Sequence, residues 1–309
     1  MSLYTVLGYH KRQFLSKFSY GGNMSRYIFV NLKRFDISTA HAGVNRLAPI
    51  QRWASTIVSA LEKGLAQVEN LPKDMGFPIF FPEAHLIAAS QAKNPQASHP
   101  VEIGCQSVHT HDTQSGRNFG AFTTSLTANA AIELGCAWTL IGHSEQRAKL
   151  AAMYQLAGCD GSQFIHEILN QQVRQAIAAG LKVLFCIGEK TDEVDRAKEV
   201  LTEQLRHGLK DIDPSQIVLA YEPIWAIGPG KTPPSAEKIR EIAIVVKNLY
   251  AAPLVYGGGL KKENAASIGA IAELDGGLIA LTRFSGEIGF YPDEYLEIVR
   301  TYCEGVNNL

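Results

Sequence analysis

The chain has 309 residues, 46% of them hydrophobic and 19% charged, with a formal net charge of −1. This is the composition of a soluble globular protein with apolar material for one large α/β domain or two ordinary ones. The near-neutral balance excludes charge-driven affinity for nucleic acid or a membrane surface and leaves room for a local basic pocket that takes an anion.

Residues 1–24 carry several basic side chains and no acid, a faint transit-peptide character without the long apolar core of a secretory signal. Met24 stands just before the first strand-like run, so residues 1–24 are read as an N-terminal extension, disordered or appended, ahead of a domain at 25–309. Short β-rich apolar runs then recur: YIFVNL (27–32), PIFFPE (78–83), VEIGCQSV (101–108), WTLIGH (138–143), KVLFCIGE (182–189), IVLAYEP (217–223), PLVYGGG (253–259) and GLIALTR (277–283). Each is too short for a helix, and most are apolar at consecutive positions, as in strands covered on both faces. Between them, residues 51–68, 162–180, 195–209 and 235–250 place apolar side chains at i, i+3, i+4 and i+7, the spacing of a half-buried helix. Eight strands alternating with helical segments, and no Pro/Gly/Ser-rich linker, predict an α/β fold: a single-domain (β/α)₈ barrel. A doubly wound open sheet is the weaker alternative, because no GxGxxG follows the first strand.

No apolar run reaches the roughly 18 residues that a membrane span requires. The five cysteines (Cys105, Cys136, Cys159, Cys186 and Cys303) are widely spaced without a CxxC, and several lie inside apolar runs. They read as free thiols in a reducing compartment, and a cytoplasmic location is expected. Two long irregular stretches, 106–127 and 281–293, stand out as functional loops.

A barrel of this kind carries its chemistry at the C-terminal ends of the strands. Those positions hold Asn31 and Lys33 after the first strand, His143, Ser144 and Glu145 after the fourth, and Glu222 after the sixth. Glycine-containing loops follow the last three strands. A carboxylate, an imidazole and an ammonium facing one apolar cup suit proton transfer next to a carbonyl: the carboxylate as base, the imidazole as donor to the oxyanion, the lysine as fixed charge. Taken singly, each has a plainer reading. A strand-end histidine is more often a structural hydrogen bonder, Lys33 a solvated charge, and Asn31 a turn cap. Glu222 ends a run of buried residues and needs a partner. His109, His111 and Asp112 in HTHD read as a solvated polar loop rather than a metal site.

IGHSEQR (141–147), AYEPIWAIGPGKTP (220–233), VLFCIGE (183–189), GAFTTSLTANAAIELG (120–135) and YGGGLKKENA (256–265) resemble the triosephosphate isomerase family, and VNLK (30–33) is similar to its Asn-x-Lys segment. The resemblance runs in order from about residue 25 to the C-terminus. It implies an aldose–ketose isomerase acting on glyceraldehyde 3-phosphate and dihydroxyacetone phosphate, with no metal or organic cofactor. The same chemistry on another sugar phosphate, such as a tetrose (erythrulose) phosphate, is the alternative, and a non-catalytic barrel binding a phosphorylated ligand is the third. By resemblance Glu222 is the base, His143 the neutral electrophile, Lys33 the stabilising charge, Asn31 a substrate ligand and Glu145 a supporting carboxylate. PIWAIGPGKTP matches the closing lid, with Gly228 and Gly258 among the positions whose backbone approaches the phosphate. The loop after strand three reaches into a neighbouring subunit in the family, which implies a homodimer.

Two departures fall on the phosphate site. Gly259 stands where the family's YGGSV serine helps to bind phosphate, and Ala280 and Leu281 stand where a glycine pair is usual. The adjacent Arg283 is suited to bidentate phosphate contacts and is expected either to replace part of that grip or to pair with an acid such as Glu287.

Overall fold

A computed structural model describes residues 26–228 and 231–308. The N-terminal extension at 1–24, together with Pro229 and Gly230 of the expected lid, lies outside the described residues. The described residues form eight strands: β1 (Arg26–Asn31), β2 (Met75–Phe81), β3 (Val101–Cys105), β4 (Trp138–Ile141), β5 (Lys182–Ile187), β6 (Ile217–Tyr221), β7 (Leu254–Tyr256) and β8 (Gly276–Ile279). All neighbours pair in parallel, and β8 returns to β1, so the sheet closes as a barrel in sequence order. Among the described residues nine α-helices pack outside it: α1 (Ile50–Leu65), α2 (Leu86–Ala92), α3 (Ala128–Glu133), α4 (Ser144–Leu156), α5 (Ser162–Ala179), α6 (Ala197–Gly208), α7 (Ala236–Leu249), α8 (Lys262–Gly269) and α9 (Pro292–Val306). Among the described residues, no helix is long and apolar enough to cross a membrane.

The consecutive apolar runs follow from this closure. Alternate strand residues face the barrel interior, while the others face the helices, so both sets are buried. The interior set contains Tyr27 and Phe29 of β1, Phe80 of β2, Trp138 and Leu140 of β4, Leu184 and Cys186 of β5, Val218 and Ala220 of β6, Val255 of β7 and Leu278 of β8. Aromatic rings fill much of that space, with Phe29 5.1 Å from Trp138 and 5.9 Å from Phe80, centroid to centroid. The helices follow their sequence signals: α7 starts at Ser235, whose hydroxyl accepts the Lys238 N–H, and α5 stops at Gly180 in the left-handed conformation.

Continuing the alternation one step beyond each interior set gives the layer where the site is built. Asn31, Gly142, Gly188, Glu222, Gly257 and Ala280 occupy it. The glycines make room for the acid. A Cβ on Gly188 would collide with the Glu222 carbonyl oxygen, and one on Gly257 would lie 2.9 Å from the Glu222 Cγ.

Barrel closure depends on one further glycine. Gly276 starts β8 at φ 144°, and a Cβ there would overlap the Tyr27 carbonyl oxygen of β1. The preceding Asp275 ties the same seam: its carbonyl accepts the Tyr27 N–H at 2.8 Å, and its carboxylate accepts the Leu254 N–H at 2.8 Å. Gly276→Ala is therefore expected to lower stability by ~2–4 kcal/mol, read from the urea midpoint. A midpoint equal to that of the parent chain would show that the seam has slack.

Candidate active site

The first exit, after β1, is set by Asn31. Its buried Oδ1 accepts the Lys33 N–H at 3.1 Å and the Gln106 Nε2 at 3.3 Å, and Gln106 also donates to the Lys33 carbonyl at 3.0 Å. These bonds hold Lys33 at φ 42°, a conformation that an L side chain rarely adopts. So placed, the Lys33 Nζ meets Glu145 Oε1 at 2.7 Å. Partial burial raises the Glu145 carboxyl, but the Lys33 hydrogen bond and charge, followed by His143, outweigh this and hold it below its ordinary value.

The fourth exit turns at Gly142, φ 81°, into α4. His143 caps that helix with its ring: Nδ1 accepts the Glu145 N–H at 3.2 Å. An Nδ1 lone pair occupied in this way leaves the neutral ring's proton on Nε2. That Nε2 lies 3.3 Å from Glu222 Oε1. The other Glu222 oxygen accepts the Ser144 N–H at 3.2 Å. Two of the unsatisfied donors that open α4 thus hold the carboxylate and the imidazole. Beneath them, burial first and then Glu222 push the Cys186 thiol well above its ordinary value, so it stays a neutral hydrogen-bonding neighbour of the acid.

The Gly142 peptide is clamped on both sides. Its N–H donates to Gln146 Oε1 and its carbonyl accepts from Arg147 Nε, each at 2.7 Å. Gln146 is itself held by Ser107 and Gln172. Arg147 also donates to the Cys186 carbonyl at 2.9 Å and reaches the His166 ring nitrogen at 3.3 Å.

After β6 the chain forms a tight turn, Ile224–Ala226, anchored on buried Glu189. The Glu189 Oε1 accepts Trp225 Nε1 at 2.7 Å and the Tyr221 hydroxyl at 2.9 Å, and its carbonyl accepts the Ile224 N–H at 3.1 Å. Beyond this anchor Ile227, Gly228, Lys231 and Pro233 border a cavity that opens to solvent. Asn31, Lys33, His143 and Glu222 form its floor, and Gly258, Gly259, Ala280 and Leu281 form the wall.

Residues 52–300 match the family model described as triosephosphate isomerase. The chain is 34% identical over 239 residues to a triosephosphate isomerase of Synechococcus sp. (strain RCC307), covering 76% of this chain and 83% of that one. It is 31% identical over 249 residues to one from Prosthecochloris aestuarii, covering 75% and 90%. The chain belongs to the triosephosphate isomerase family. A crystal structure of triosephosphate isomerase from Bartonella henselae shares the fold, with a TM-score of 0.66 at 22% identity over 90% of this chain and 99% of that one. Asn31 and Lys33 precede the segment matched by the family model, and the fold brings them to the same cavity.

One expectation about the wall needs correction. Arg283 is absent from the cavity lining. Its Nε donates to Glu294 Oε1 at 2.8 Å, a second guanidinium nitrogen contacts the same oxygen, and the group stacks 4.1 Å from the Tyr291 ring centroid. The expected alternative, an acid partner, is what forms, but the acid is Glu294 on α9. Glu287 instead lies 3.8 Å from Arg46. Asp112 is occupied too: its side chain accepts the Asn129 N–H at 2.9 Å, within the first turn of α3. Among the described residues no cluster of three His, Cys, Asp or Glu is arranged to hold a metal. Sequence reasoning missed Gln106, Gln146, Lys261 and Phe284; the last two line the cavity. The only signal for Lys261 and Phe284 is position, two residues and one residue past the runs at 253–259 and 277–283.

The clamp has a pH signature. Burial first, then Arg147 and His207, lower the His166 imidazole from 6.5 to about 4. Between those values the unfolded chain binds a proton that the folded chain refuses, so stability falls as pH drops through that window and levels off below it. His166→Asn is expected to reduce the loss of thermal midpoint over that range. Equal losses in variant and parent would assign the acid sensitivity elsewhere.

Proposed function

We propose that this chain interconverts glyceraldehyde 3-phosphate and dihydroxyacetone phosphate. The observation that carries the reading is the placement of Glu222 and His143, 3.3 Å apart and both hydrogen-bonded to the first N–H groups of α4. A substrate carbonyl entering between them exchanges the Glu222–His143 contact for two productive ones.

Glu222 takes a proton from the carbon next to the carbonyl, and the C–H electron pair moves into the new C=C bond of an enediolate. The His143 Nε2–H donates to the oxygen on which charge develops, and the Lys33 ammonium adds a fixed positive field. Glu222 then returns its proton to the neighbouring carbon, while the hydroxyl proton passes between the two oxygens through His143. Atoms and electrons balance within the substrate. Burial of Glu222, 3% exposed, supports its use as a base, because few waters compete for it. Ile227, Gly228 and Lys231, which border the cavity, shield the enediolate from solvent.

Glu222→Gln is expected to lower kcat by at least about a thousandfold with little change in KM. Coupled assays of triose and tetrose phosphates side by side test this reading. Turnover of neither substrate by the parent chain would sink it, and faster turnover of the four-carbon ketose phosphate would move it to the paralogous reaction.

A homodimer and a cytoplasmic location belong to the same proposal. The 106–127 loop that matches the family's intersubunit loop presents Phe119 at 82% exposure, at φ 50°. Cys105, Cys136, Cys186 and Cys303 are buried free thiols, as expected in a reducing compartment. Sedimentation at twice the chain mass is expected, with Phe119→Asp shifting it toward the monomer. A monomeric parent chain would remove the dimer from the proposal.

A further inference from the structure

Three lysines line the cavity: Lys33, Lys231 and Lys261. The first is paired with Glu145 on the floor, and Lys231 is exposed beyond the lid turn. Lys261 is different. It is half-buried on the fixed wall, and among the described residues no carboxylate lies within ion-pair distance of its ammonium. The Nζ sits 4.2 Å from the centroid of Phe284, another wall residue.

The turn before Lys261 makes this position possible. Gly259 has φ 99°, where any side chain is strained, and the point at which its Cβ would stand lies 3.8 Å from the Lys261 Cε. The lysine stem therefore runs across the space in front of Gly259. Asn264 straps the turn from both ends, accepting the Lys261 N–H at 2.8 Å and donating to the Gly259 carbonyl at 3.0 Å. The Gly258 carbonyl is tied to the Tyr256 hydroxyl at 2.9 Å. Both carbonyls are thus engaged, and among the described residues nothing accepts from the N–H groups of Gly258, Gly259 or Leu260. Backbone donors without acceptors beside an uncompensated ammonium make an anion seat.

We infer that Lys261 is the side-chain cation that binds the phosphate of the substrate, with Phe284 holding its ammonium at the wall. This role rests on the isomerase reading. Phe284 desolvates the ammonium and attracts it through the ring face, which strengthens its pull on a dianion. The eighth exit contributes this ring rather than the Arg283 guanidinium, which Glu294 retains.

The test compares the parent chain with Lys261→Ala, Lys261→Arg and Arg283→Ala, using two readouts. Calorimetry with inorganic phosphate reports binding without turnover, and steady-state kinetics compare glyceraldehyde 3-phosphate with unphosphorylated glyceraldehyde. Lys261→Ala is expected to weaken inorganic phosphate and to lower kcat/KM for the phosphorylated substrate by about 10- to 100-fold, as for loss of a charge-assisted contact. Its rate on unphosphorylated glyceraldehyde stays at the parent value, which a general loss of structure would not allow. Lys261→Arg recovers most of the phosphate affinity, and Arg283→Ala retains it. Unchanged phosphate binding in Lys261→Ala, or an equal loss in Arg283→Ala, overturns the assignment. If the parent chain isomerises no sugar phosphate, the isomerase reading fails on its own, and calorimetry still decides the role of Lys261.

Discussion

The site depends on the first turn of α4. A helix start leaves N–H groups without partners inside the helix, and here the Ser144 and Glu145 donors serve Glu222 and His143. One rigid element thereby fixes the distance between acid and imidazole and selects the tautomer of the ring. The Gly142 clamp exists to aim that turn. Gln146 and Arg147, themselves in α4, reach back to hold the peptide from which the helix starts. Helix and strand exit therefore define each other, and the desolvated Arg147, lowered by burial to about 10, still carries its charge at neutral pH.

Much of this was legible in the sequence, for a physical reason. Strands covered on both faces are apolar without alternation, so all eight runs were recognisable, and Glu222 was conspicuous because it ends one of them. Strand ends were less legible. WTLIGH, PLVYGGG and GLIALTR outrun β4, β7 and β8, because the chain leaves the ladder at turns such as Gly142 and Gly259 while its composition still reads as strand. α4 gave no periodic signal, since it buries no apolar stripe against the barrel; its purpose lies at its first turn.

The wall of the cavity shows where sequence reading stops. Arg283 is one residue from Phe284, and composition favours the guanidinium as an anion ligand. Its partner is decided by α9, which brings Glu294 to it across a short turn closed by the Arg283–Gly289 bridge. Lys261 looks like an ordinary helix-cap lysine until Gly259 and Asn264 set its direction. Side-chain direction at a strand exit is a property of two or three loops together, and no single motif carries it.

The layer of small residues around Glu222 also bears on how the chain tolerates change over evolutionary time. Gly188 and Gly257 carry no functional group, yet any replacement at either pushes into the backbone or side chain of the acid. A drifting lineage can thus lose its chemistry through alanine at a position that carries no reacting group, while every ionisable residue remains in place. Selection on the carboxylate is, in this barrel, largely selection for the absence of its neighbours' side chains.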